Sequence, residues 1–173
     1  RWQGMAEVAE SRGALAPRVL ALHRVRAARL PDGARRVLDA AAVLGDDPPA
    51  PGLLANMCAL STTAVDDAVV QLEAAGFLRQ GGFVHDLVRQ SAAELLPPPR
   101  RTLLHRRAAE WLEAQPALRQ PDPAVLAAHW RAGGESQRAL AADFLVAQAL
   151  RERGGLEESA RLYADIARQE IGR

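Results

Sequence analysis

The stretch from Phe77 to Leu96, FLRQGGFVHDLVRQSAAELL, most restricts what this chain can fold into. A short apolar run meets Gly81-Gly82, turns back through Phe83-Val84 and delivers His85-Asp86 to the start of a helix. Adjacent glycines accept the positive φ of a two-residue hairpin turn. Asp86 is the expected N-cap, its carboxylate accepting from a backbone N–H near Val88 or Arg89. Leu87, Gln90, Ser91 and Glu94 carry the helix to Leu95-Leu96, and Pro97-Pro98-Pro99 is expected to stop it. His85 then stands at the positive end of a helix dipole, where anions are favoured. Geometry alone leaves two roles open for its ring, contact with a phosphate or a structural part at the hairpin-helix corner.

The periodicity elsewhere is helical. Leu15, Val19, Leu22 and Val25 mark one helical face, ended by Pro31-Asp32-Gly33. Residues 34–44 form a second helix with Val37, Leu38, Ala41 and Leu44 inward, closed by Gly45. A loop over 46–52 leads to a short apolar helix at 53–60. Ser61-Thr62-Thr63 caps the next helix, in which Val65, Ala68, Val69 and Leu72 face inward, and Gly76 ends it. Helix, helix, helix and small hairpin is the order of a winged-helix domain, expected over 31–96, after a tail and linker helix at 1–30.

From residue 97 the pattern is helical hairpins: 100–114, 124–132, 136–153 and 156–171, with a loop at 116–123. Gly133-Gly134 and Gly154-Gly155 punctuate them, as in a tetratricopeptide-like solenoid. Ala160, Tyr163, Ala164 and Ala167 form the expected packing side of the last helix. The fold class is therefore mainly α, with one short β-hairpin followed by α-helical hairpins over 97–173. Abundant alanine, which loses no side-chain entropy in a helix, agrees.

Composition excludes several chemistries. All 22 basic residues are arginine, so a phosphate-loop lysine, a Schiff-base lysine and a lysine general base are ruled out. Cys58 is the single cysteine, which excludes an internal disulfide and is read as a small core residue. His23, His85, His105 and His129 lack metal-ligand spacing, so no metal is expected. His105 and His129 are expected to pack or to hydrogen-bond between helices. Arg100, Arg101, Arg106 and Arg107 are read as a solvated face. The adjacent acids Asp46-Asp47, Asp66-Asp67 and Glu157-Glu158 make no spaced carboxylate pair, and the chain is not expected to be an enzyme. No apolar run reaches about 18 residues, so no membrane span is expected. The lone cysteine fits a cytoplasmic setting. The net charge of +1 supplies no strong field toward nucleic acid. The helix at 62–75 carries Asp66, Asp67 and Glu73 and no arginine, so direct DNA binding through it is not expected. Because the chain opens on Arg1 and its last helix nears Arg173 uncapped, a piece of a longer protein is expected.

FVHDLVRQ resembles the histidine-aspartate motif in the winged-helix domain of signal-transducing regulatory ATPases, the STAND class, which includes large bacterial transcriptional activators. The likeness extends in order. ARLPDGARRVLDAAAVLGDD is similar to the opening of that domain. AVVQLEAAGFLRQGGFVHDLVRQSAAELLPPPRRTLLHRRAAEWLEA is similar to its remainder and the following helix. AAHWRAGGESQRALAADFLVAQALRERGGLEESARLYADIA is similar to the entry of a helical-repeat sensor region. The resemblance spans residues 30–167. It implies that His85 contacts the β-phosphate of ADP, supported by Asp86 and Arg89, and holds a closed state. It implies no cofactor within these residues alone, but ADP or ATP with Mg in the parent protein. Implied partners are an upstream nucleotide-binding domain of the same chain and a protein or small-molecule effector on the C-terminal helices. Two other readings are a winged-helix DNA-binding transcription factor and a tetratricopeptide-like adaptor without a nucleotide link.

Overall fold

The structure, a computed structural model, describes residues 20–45, 49–115 and 122–171. The expected helical positions Leu15 and Val19, and the loops at 46–48 and 116–121, lie outside the described residues. Among the described residues the fold is mainly helical with one two-stranded antiparallel sheet. It divides into two compact units, with the boundary between Pro97 and Pro98.

The first unit begins with helical residues 20–28, labelled α1. It continues through α2 (Asp32–Leu44), α3 (Pro51–Cys58), α4 (Thr62–Ala74), β1 (Leu78–Arg79), β2 (Gly82–Phe83) and α5 (Asp86–Leu95). α2 is central, packing on α3, α4 and α5. Its inward stripe of Ala34, Val37, Leu38 and Ala41 is almost solvent-free, and Met57, Val65, Leu72 and Phe77 complete the core. Removing that apolar area from water is what holds short, weakly capped helices together. Leu22 and Val25, expected on the inward face of α1, are exposed instead. The face turned inward presents His23, Arg26 and Leu30. Arg26 stacks 4.9 Å above the Phe77 ring and donates to the Ala75 carbonyl. The cation–π contact and the carbonyl bond outweigh two aliphatic side chains in setting the rotation of this helix.

The second unit is α6 (Pro98–Glu113), α7 (Pro123–Ala132), α8 (Ser136–Glu152) and α9 (Leu156–Ile171). Each helix packs on its neighbour in sequence, α6 on α7, α7 on α8 and α8 on α9. Ala109, Leu126, Ala127, Trp130, Ala139 and Ala142 form its buried centre, with Leu112 against it. α6 starts at Pro98, not at Arg100. Proline fits a first turn because the N–H it lacks would have no intrahelical partner there. The same logic starts α7 at Pro123, with the Asp122 carboxylate accepting from Ala124 N at 2.9 Å. On α9 the packing side is Ser159, Leu162, Tyr163 and Ile166, while Ala160, Ala164 and Ala167 are exposed. Ser159 sets that rotation by donating from Oγ to the Ala147 carbonyl at 2.8 Å, a buried bond. No single helix among the described residues is long and apolar enough to cross a membrane.

Candidate functional site at the hairpin-helix corner

The corner is built from the end of α4 onward. Gly76 adopts φ +71°, and Phe77 N donates to the Leu72 carbonyl at 2.9 Å, which stops the helix and turns the chain into β1. In the sheet Leu78 faces Phe83 and Arg79 faces Gly82. The turn is therefore Gln80-Gly81, both at positive φ (51° and 78°), and not Gly81-Gly82. Two consecutive left-handed residues match the twist of a tight hairpin, and register decides which pair takes that place. Glu73 fixes the turn to α4, its carboxylate accepting from Gly81 N at 3.1 Å. Val84 N then donates to the Phe77 carbonyl at 3.2 Å and aligns the exit strand.

His85 follows in extended backbone (φ −163°, ψ 143°) and is itself the N-cap of α5. Its ring Nδ1 accepts from Leu87 N at 3.1 Å, and its carbonyl accepts from Val88 N at 2.8 Å. The expectation that Asp86 caps this helix is thus corrected: Asp86 is the first helical residue. From there its carboxylate points along the helix surface, where Oδ1 accepts from Arg89 Nε at 3.0 Å and Nη2 at 2.7 Å, and Oδ2 accepts from Gln90. An aspartate at that position complements the helix dipole without closing a cap ring, because its Oδ atoms reach i+3 and i+4 side chains more easily.

The cap bond has a chemical consequence for His85. An imidazole whose Nδ1 accepts a backbone N–H carries its proton, when neutral, on Nε2. The ring is exposed, and Nε2 makes no hydrogen bond among the described residues. The corner therefore offers one outward N–H donor, aimed by the backbone, at the positive end of α5. Arg89 is held against Asp86, with Nη2 2.7 Å from Oδ1. Among the described residues no group of three or more His, Cys, Asp or Glu side chains could hold a metal ion. Pattern reading missed Glu73, whose link to Gly81 spans eight residues with no helical or strand period, and the clamp of Arg26 on Phe77.

A second histidine site lies in the other unit. His105 on α6 and His129 on α7 meet with their Nδ1 atoms 3.0 Å apart. Burial lowers both from the ordinary imidazole value, with the Arg101 charge adding to the effect on His105; His129 falls to about 4. Nearby Arg106, expected to be solvated, is half-buried and donates to the Gly133 carbonyl at 3.2 Å. Its Nε lies 3.1 Å from the Glu135 carboxylate, near enough for charge attraction but without the alignment of a hydrogen bond.

Comparison with known proteins returns no matching family model, no matching curated protein and no matching solved structure.

Proposed function

We propose that this chain is a regulatory, non-catalytic segment of a STAND-type ATPase transcriptional regulator. In this reading residues 31–96 are a winged-helix domain and residues 97–173 begin a tetratricopeptide-like sensor region. The observation that carries the reading is the presentation of His85. Its Nδ1 is spent on the Leu87 N–H, its ring is exposed, and its Nε2 is left to donate outward from the start of α5. A phosphate oxygen of ADP, bound by an upstream nucleotide domain of the same polypeptide, is the acceptor this donor suits. Asp86 and Arg89 support the corner by bracing the first turn of α5.

The rest of the chain supports a coupling role. The outward face of α4 carries Asp66, Asp67 and Glu73, all exposed, which opposes a DNA backbone and favours protein contacts. The consecutive packing of α6 to α9, turned at Gly134 (φ +78°) and Gly154 (φ +88°), is the local arrangement expected of a helical-repeat array. With ADP bound, His85 ties the winged helix to the nucleotide domain. An effector that binds the helical region better in the open state shifts the balance, and exchange to ATP with Mg permits assembly.

The test is nucleotide retention by the full-length protein. Purified wild type should carry ADP, and His85→Ala should lose most of it while remaining folded. Equal retention by both proteins would remove His85 from the nucleotide site and the reading with it.

A further inference from the structure

We infer that His105 and His129 form an acid-sensitive latch holding α6 to α7, a device independent of the nucleotide reading. The geometry is specific. The two rings come from different helices, their centroids are 5.2 Å apart with a 44° tilt, and their Nδ1 atoms face each other at 3.0 Å. His129 is buried at 6 % exposure and His105 is half-buried.

At that distance one Nδ1 must donate and the other accept. Two neutral rings satisfy this with one proton between them, the accepting ring holding its own proton on Nε2. A first added proton goes to the bare Nε2 of the donating ring and leaves the N–H···N bond in place. A second has only the accepting Nδ1 to occupy. Two N–H groups then point at each other and two cations share one partly buried site, so the rings must separate.

Among the described residues neither ring is paired with a carboxylate. The Arg101 charge, one helical turn earlier on α6, opposes a positive charge on His105. On α7 and α8, Arg131 is paired with Asp143 at 2.6 Å, and Arg138 lies over the Trp130 ring. Arg106 on α6 is engaged by the Gly133 carbonyl and Glu135. The latch thus closes when the pair is neutral or singly protonated and opens on double protonation.

The experiment is a pH titration of the 173-residue chain labelled with 15N-histidine, read at the imidazole nitrogens, alongside urea midpoints at each pH. The expected result is a His129 midpoint shifted down toward 4, with the urea midpoint falling as pH drops below 6.5. His129→Asn keeps an amide near the Nδ1 position but cannot titrate, and should flatten that fall; His105→Asn should do the same if the first variant does not fold. An ordinary His129 midpoint near 6.5 would overturn the latch. So would a urea midpoint that falls equally steeply in wild type and in a folded variant.

Discussion

At the scale of the residue, His85 caps α5 with one nitrogen and, in the proposed reading, offers the other to a phosphate. Nδ1 closes the first turn of α5 and thereby assigns the proton of the neutral ring to Nε2. The jobs separate by substitution. His85→Ala removes both and should destabilise the chain by about 1 kcal/mol, the usual cost of losing an N-cap. His85→Asn restores a good cap and most of that stability, but its amide is too short to reach where Nε2 reaches. Urea unfolding of the two variants checks this; equal losses would show that capping contributes nothing here. The corner was legible in sequence as a histidine before an amphipathic helix. What was not legible was which of His85 and Asp86 takes the cap, since both can accept a backbone N–H. The extended backbone at His85, set by the exit of β2 and the Val84 to Phe77 bond, decides it.

At the scale of the element, helix identity was readable, and rotation was readable only where no polar group competed. The inward stripe of α2 followed from spacing alone, because Val37, Leu38 and Ala41 recur at helical period and nothing polar competes. In α1 and α9 a polar group with a tertiary partner turned the helix: Arg26 toward Phe77, and Ser159 toward the Ala147 carbonyl. Such partners lie tens of residues or a helix away and leave no local signal. The prolines after Leu96 read correctly as the end of α5, but Pro98 and Pro123, placed outside the helices from sequence, open α6 and α7. Two glycines make a paired prediction. A Cβ on Gly133 would sit 3.1 Å from Arg106 N and 3.2 Å from Arg106 Cα, both backbone atoms that cannot yield without moving α6. Gly133→Ala should therefore cost about 1–3 kcal/mol. Gly33, inside α2 with nothing within 4 Å of its Cβ position, should gain about 0.5–1 kcal/mol on change to alanine. Thermal denaturation of both variants distinguishes close packing from backbone entropy.

At the scale of the whole molecule, charge and acid sensitivity follow from placement. The described chain puts acids on the exposed face of α4, so the 173-residue protein should give no salt-dependent shift of duplex DNA probes; a clear shift would favour a DNA-binding role. His129 titrates well below an unfolded histidine, so between 6.5 and about 4 the unfolded chain binds the extra proton. Stability from this group is complete above 6.5 and is lost as pH falls through that window. A loss of about 3 kcal/mol by pH 4 is the order expected from a shift of that size.

In the proposed reading His85 meets a diphosphate held by a neighbouring nucleotide domain. The most direct measurement is the rate at which labelled ADP leaves the full-length protein, compared among wild type, His85→Ala and His85→Asn. A direct Nε2–H contact worth 1.4 kcal/mol or more predicts about tenfold faster release from both variants, even though His85→Asn keeps its helix cap. Release from His85→Asn at the wild-type rate would leave His85 as a structural cap alone.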